Sequence, residues 1–227
     1  MAVRARTDEP VPRVGSFLVR SDAPGITIEP TWDHLGLRAS RSDDVIFTDT
    51  PVPAGAVAGL SEPATAAGPD AVLMAWNGLG LTVLYLGVAS AARDWLTGFL
   101  TERTPTALGR PLATLPRIIS AIGEIEASLT AASDLIKGLA ARADAGDPVA
   151  ASHAGMAKLI GTRAAIGAVE QAVALVGNNG LPRKYPLERH YRDVLCARVH
   201  TPQDESVVTA AGQAVLAAVG RSETMST

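Results

Sequence analysis

Cysteine and aromatic side chains are scarce in this sequence of 227 residues. The single cysteine, Cys196, excludes an internal disulfide and any metal site built from several cysteines, and it fits a reducing compartment. Only 4% of the residues are aromatic although 47% are hydrophobic, so Ala, Leu, Val and Ile must form most of the core. This composition favours packed helices, because Ala and Leu are strong helix formers.

An excess of positive charge is missing as well. The formal net charge is −3 at pH 7, and we expect no nucleic-acid partner, because such a surface needs clustered Lys and Arg. Residues 1–13, MAVRARTDEPVPR, contain no apolar core and therefore do not form a signal peptide. These features predict a cytoplasmic protein without a metal site.

One uncharged stretch, residues 71–92, is long enough to cross a bilayer. It contains polar or small residues such as Asn77 and Gly78, and its helical pattern continues into charged residues at 93 and 94. Helices that are apolar on all sides also occur at the centre of large bundles. We therefore expect no membrane span here.

The remaining patterns divide the chain into a β part and an α part. Short strand-like segments at 14–20, 26–29 and 44–49 are separated by turn signals, and they are too few to close a barrel alone. Residues from 54 onward are rich in Ala, Gly and Pro, which is typical of a linker. The predicted organisation is a partial β-barrel segment over 1–60, a linker over 61–69, a helical bundle over 70–220 and a disordered tail over 221–227.

The helical part should be a bundle of four or five helices. Asp147 is a good N-cap with Pro148 at the first helical position, and Gly177 is a C-cap signal. The fold class is therefore mainly α with a small β portion. The pattern predicts helices over 70–102, 114–143, 148–176, 187–199 and 204–219.

The most distinctive residues lie between the third and last of these helices. They are the loop Gly177, Asn178, Asn179 and Gly180, the run Tyr-Pro-Leu-Glu-Arg at 185–189, and the pair Arg192-Asp193. These blocks resemble the Gly-Gly-x-Gly, Tyr-Pro-[Val/Leu]-Glu-[Arg/Lys] and Arg-Asp blocks of acyl-CoA dehydrogenases. Further blocks extend the resemblance over about residues 14–215. It implies the end of that family's middle β domain followed by its C-terminal helical bundle.

The resemblance implies FAD as the cofactor. The loop from Gly177 to Gly180 matches one that approaches the FAD of a neighbouring subunit, where glycines let backbone N–H groups come close. Arg103 and Gly109 resemble the family's phosphate-binding loop, with a spacing two residues longer than usual. Without the surrounding match, the loop at 177–180 would be interpreted as a simple helix-ending turn.

The usual catalytic glutamate is missing. Counted from the Arg-Asp pair, its position falls on Thr201, and the position used by some members on the first long helix falls on Asn77. The remaining candidates for catalysis are His200 and Asp204. The spacing of His200 resembles that of a monooxygenase-like branch, although a structural hydrogen bond is an equal alternative. Asp204 also has a sufficient structural reason as a cap of the last helix.

Three functions therefore stay open. The first is the C-terminal half of an FAD-dependent oxidoreductase acting on an acyl thioester, bound to coenzyme A or to a carrier protein. Because the resemblance starts inside the middle β domain, we expect a hetero-oligomer with an N-terminal, acyl-CoA-dehydrogenase-like partner chain. The second is a flavin-dependent monooxygenase or oxidase on the same fold. The third is a non-catalytic subunit that completes the FAD site of a partner.

Overall fold

The computed structural model describes residues 1–66 and 71–224, with side chains as far as residue 66 and from residue 72 to 218. The described residues form two compact units. The first comprises residues 1–34 and 38–66, and the second comprises residues 35–37 and 71–224. The predicted end of the linker and Asp70 lie outside the described residues.

The first unit contains two small antiparallel sheets. One sheet has the strand order β1-β2-β5, and the other pairs β3 with β4. The register sets Val3 opposite Phe17 and Ile28 opposite Val45. The strands are β1 (Ala2–Arg6), β2 (Val14–Leu18), β3 (Ile26–Glu29), β4 (Asp44–Phe47) and β5 (Val57–Ser61).

The β part of the chain extends to the start of the predicted linker. Val57–Ser61 forms β5, although its Ala and Gly content suggested an irregular segment. Its Val57 pairs with Phe17 of β2, a partner far away in the chain. Strand formation depends on such cross-strand packing more than on local preference, so composition alone misses it. The strand β1 was missed for the same reason.

The second unit is a helical bundle, which confirms the predicted fold class. Here α3 packs against α1 and α2, α4 packs against α1 and α3, and α5 packs against α3. Its core consists mainly of Ala, Leu, Ile and Val side chains. The helices are α1 (Ala71–Glu102), α2 (Pro116–Asp144), α3 (Pro148–Val176), α4 (Leu187–Leu195) and α5 (Asp204–Thr224).

The ends of α3 follow the sequence signals. Asp147 caps α3 by accepting the N–H of Val149 at 2.8 Å, and Gly177 ends it with a φ of +56°. Three other ends differ from the prediction. A 3-10 turn precedes α2, and α4 ends at Leu195, where a 3-10 turn over Cys196–Arg198 follows it. The last helix, α5, continues to Thr224, so residues 221–224 are helical rather than disordered. No proline follows Val219, and a single Gly220 costs a helix only about 1 kcal/mol. Residues 225–227 lie outside the described residues.

In the described part of the chain, two helices are long and apolar enough to cross a membrane by length and composition alone. They are Val72–Glu102 and Pro148–Gly180, with mean hydropathy of 1.6 and 1.4. This is weak evidence, since the core helices of a bundle pass the same test. The two helices pack against each other, and both bury polar side chains, namely Thr82, Lys158 and Thr162.

A glycine allows α1 and α3 to approach closely. A Cβ built on Gly161 would overlap Cγ2 of Thr82, which is fully buried on α1. The threonine cannot swing away easily, because it is β-branched and its hydroxyl donates to the carbonyl of Gly78 at 2.7 Å. Gly167, also on α3, has open space around the same position. The two glycines thus differ in packing on one helix.

We expect Gly161→Ala to lower the free energy of unfolding by about 1–3 kcal/mol, because it overfills the contact between α1 and α3. The matched control Gly167→Ala should raise it by up to about 1 kcal/mol, since alanine favours a helix. Urea unfolding followed by circular dichroism measures both changes. Equal effects of the two substitutions would contradict the close approach of the helices.

Candidate functional site

The helix α4 is anchored by a short stretch from the N-terminal part of the chain. Asp193 Oδ1 accepts the backbone N–H of Leu37 at 2.8 Å, and Arg192 Nη1 donates to the carbonyl of Leu35 at 2.7 Å. A Cβ at Gly36 would overlap the carbonyl oxygen of Arg192. The Arg-Asp pair of the sequence motif therefore holds a backbone segment in place.

His200 lies beside Tyr85, a residue of α1. Its Nδ1 and the phenolic oxygen are 2.6 Å apart, and the two ring centroids are 5.7 Å apart. Tyr85 is fully buried, and His200 is half-buried. Within the described parts of the chain, Nε2 of His200 has no hydrogen-bond partner. Nδ1 of His200 thus makes a structural hydrogen bond, and Nε2 is available for proton transfer.

Burial determines the protonation of this pair. It lowers the pKa of His200, and the nearby Lys158 ammonium lowers that pKa further. Burial also raises the pKa of the Tyr85 hydroxyl, with further contributions from Cys196 and Asp193. Both side chains are therefore neutral near pH 7, and either one can donate the shared hydrogen bond.

Lys158, on α3, is the buried cation of the site. Its side chain is 0% exposed, and its Nζ donates to three backbone carbonyls of the turn that leads into α5. The carbonyls belong to Ala197 at 3.0 Å, His200 at 2.9 Å and Pro202 at 3.0 Å. Burial lowers the pKa of Lys158, and the nearby Asp204 opposes that shift.

Asp204 faces cations. Its Oδ1 lies 3.7 Å from Lys158 Nζ, too far for a hydrogen bond, and its Oδ2 lies 3.4 Å from Nε of Arg163. The structure thus brings both predicted catalytic residues, His200 and Asp204, to the same ammonium group. Thr201 and Asn77, the two positions of the family's glutamate, are exposed.

Arg103 lines an aromatic cleft at the end of α1. Trp95, Phe99 and Tyr185 meet there, with ring centroids 5.2 to 5.9 Å apart, and the cleft has a volume of about 440 Å³. Among the described residues, the Arg103 guanidinium has no hydrogen-bond or ion-pair partner. A free guanidinium beside a cleft fits a phosphate group, although the neighbouring Glu102 offsets part of its charge.

The glycines predicted to bind the cofactor differ in their surroundings. Gly109 and Gly177 have φ values of +66° and +56°, and nothing lies within 4 Å of a Cβ built on either. Gly180 is packed, because its Cβ would lie 3.1 Å from Val176 Cγ2. Asn179 donates from Nδ2 to the carbonyl of Val176 at 3.2 Å. The backbone is thus accessible at Gly109 and Gly177. Asn179 and Gly180 pack against the C-terminal end of α3.

Sequence reasoning missed the roles of Tyr85 and Lys158. Each lies in a mostly apolar stretch of a long helix, and that setting was the available signal. A buried lysine needs partners, so its presence in such a run indicates a polar site on a neighbouring element. The sequence does not say which element provides the partners.

Residues 79–205 match the family model of the acyl-CoA dehydrogenase C-terminal domain. The chain belongs to the acyl-CoA dehydrogenase family. It is 35% identical over 198 residues to the protein YdbM of Bacillus subtilis, covering 86% of this chain and 50% of that protein. It is also 34% identical over 187 residues to L-evernosamine nitrososynthase of Micromonospora sp., covering 78% of this chain and 43% of the enzyme.

The fold agrees with a solved member of the family. Butyryl-CoA dehydrogenase from Megasphaera elsdenii superposes with a TM-score of 0.82 at 25% identity, covering 95% of this chain and 55% of that enzyme. The homologues are flavin oxidoreductases. The chain spans about half the length of the curated relatives it matches.

We expect the free energy of unfolding to fall as the pH is lowered below about 6.5, the ordinary pKa of histidine. The pKa of His200 is lowered in the folded state, so the unfolded chain binds a proton at this residue at a higher pH than the folded chain does. Proton binding therefore favours the unfolded state as the pH falls. His200→Gln should weaken this dependence. Urea unfolding between pH 7.5 and 5 measures it, and an unchanged slope in the variant would contradict a neutral, buried His200.

Proposed function

We propose that this chain is the C-terminal portion of an FAD-dependent oxidoreductase that acts on an acyl thioester, carried by coenzyme A or by an acyl carrier protein. One observation carries the proposal within this family. His200, whose imidazole is neutral and held by Tyr85, stands next to Thr201, the position of the family's catalytic glutamate. The proton acceptor has thus moved by one residue and changed from a carboxylate to an imidazole.

The proposed cofactor contacts are made by those predicted cofactor-binding residues that are accessible in the structure. The Arg103 guanidinium would pair with a phosphate of FAD, and the backbone at Gly109 and Gly177 would approach it closely. Asn178 is exposed and lies next to Gly177. Bound FAD supplies the acceptor for a hydride. Gly180 supports this loop through its packing.

The proposed role of His200 is proton transfer at Nε2. In the tautomer that acts as the base, Nδ1–H donates to the Tyr85 oxygen, which fixes the orientation of the ring and leaves an unprotonated Nε2 for the acidic α-proton of the thioester. A neutral imidazole can accept this proton without first losing one of its own. The buried Tyr85 excludes water from the side of Nδ1.

The proposal includes a partner chain. Edge strands and exposed apolar residues in the first unit, such as Ile28 and Phe47, support the addition of further β structure. The relatives are about twice as long as this chain, so they carry a further half of the fold. We propose that an N-terminal, acyl-CoA-dehydrogenase-like chain supplies that half in a cytoplasmic hetero-oligomer.

A second candidate is a flavin-dependent monooxygenase or oxidase. The lowered pKa of His200 favours it, because a weakly basic imidazole is a poor acceptor for a carbon-bound proton. The 34% identity to a nitrososynthase supports it as well. No carboxylate of the described residues contacts the imidazole. A non-catalytic subunit that completes a partner's FAD site is the third possible outcome of the test.

We expect His200→Ala to lower kcat by about 100-fold or more in the FAD-loaded complex, because general base catalysis typically contributes that much. Acyl-CoA oxidation with an artificial electron acceptor tests the first candidate, and oxygen consumption with substrate hydroxylation tests the second. The control Thr201→Ser keeps a hydroxyl at the old base position and should leave kcat within about threefold of the wild type. Full activity of His200→Ala would exclude a catalytic His200.

A further inference from the structure

The turn between α4 and α5 is organised around one ammonium group. Lys158 has three N–H donors, and each has a backbone carbonyl partner at 2.9 to 3.0 Å. The carbonyls are those of Ala197, His200 and Pro202, so the contacts bracket the histidine on both sides. The backbone of His200 is itself one of the three ligands of the cation.

The location of this cation is costly for the fold. Lys158 is 0% exposed, and a buried charge persists only where dipoles and counter-charges compensate it. Three carbonyl dipoles and Asp204 at 3.7 Å provide that compensation. A neutral apolar side chain of the same length could pack here without compensating charges. It could not donate hydrogen bonds to the three carbonyls, however.

We propose that Lys158 is a positioning residue, which holds the backbone at His200 so that the imidazole meets Tyr85 with one nitrogen and faces the reacting substrate with the other. The role toward the substrate rests on the proposed function. The hold on the backbone and the ring rests on the contacts of Lys158 and Tyr85. Tyr85 and Lys158 thereby fix the same histidine from two helices.

The charge of Lys158 acts on the imidazole as well. Among the described residues, the ionisable groups that contact His200 are Tyr85 from α1 and Lys158 from α3. Asp204 from α5 lies beyond Lys158, and Arg163 lies beyond Asp204. The lysine cation disfavours a second positive charge on the imidazole, and this is one cause of the lowered pKa of His200. Removal of the cation should therefore change both the turn and the titration of the histidine.

The test is Lys158→Met in the full chain, followed by NMR. We expect the pKa of His200 to rise toward its ordinary value, and amide exchange across residues 197–203 to accelerate at least tenfold. The matched control is Thr162→Val, one turn along α3 and equally buried, whose hydroxyl bonds only to carbonyls of its own helix. The control should leave both quantities unchanged. A variant with an unchanged His200 titration and unchanged exchange would overturn the proposal.

A second measurement needs no variant. In the unmodified chain the Lys158 ammonium should exchange its protons with water at least tenfold more slowly than the exposed Lys137 and Lys184, and it should show contacts to the backbone at 197–202. Exchange as fast as that of the two exposed lysines would overturn the proposal even if Lys158→Met does not fold. Neither readout uses substrate or FAD, so an inactive complex leaves this proposal standing while it removes the proposed function.

Discussion

The close packing of α1 against α3 is the constraint on which the candidate site depends. Gly161 allows the backbone of α3 to approach Thr82, and Tyr85 and Lys158 lie within one turn of that contact on their helices. The two side chains that hold His200 therefore come from a closely packed contact between α1 and α3. Sites supported by rigid elements keep their geometry better than sites built on loops alone.

The charges of the site are arranged so that its proton-exchanging groups stay neutral. Asp204, at the start of α5, faces Lys158 and Arg163, so its charge balances cations. Lys158 in turn opposes a proton on His200. An imidazole can work beside a buried cation because it reacts in its neutral form.

Local signals in the sequence predicted the elements whose ends are set by local chemistry. Asp147, Pro148 and Gly177 define the limits of α3 through capping and backbone conformation, and these limits agree with the structure. The sequence pattern did not predict contacts between residues that are distant in the chain. The strand β5 forms because it pairs with β2. The Lys158 ammonium donates to carbonyls about 40 residues away. The spacing from the Arg-Asp pair located His200. Its partner Tyr85, 115 residues earlier in the chain, required the fold.

The lowered pKa of His200 bears on the choice between the two chemistries. A weakly basic imidazole is ready to accept a proton at pH 7, but its conjugate acid returns that proton easily. Removal of a carbon-bound α-proton then requires strong stabilisation of the resulting anion by other groups. Proton exchange with an oxygen or nitrogen atom requires much less. The same electrostatics that keep His200 neutral thus separate the two candidates, since the first requires that stabilisation of the anion and the second does not.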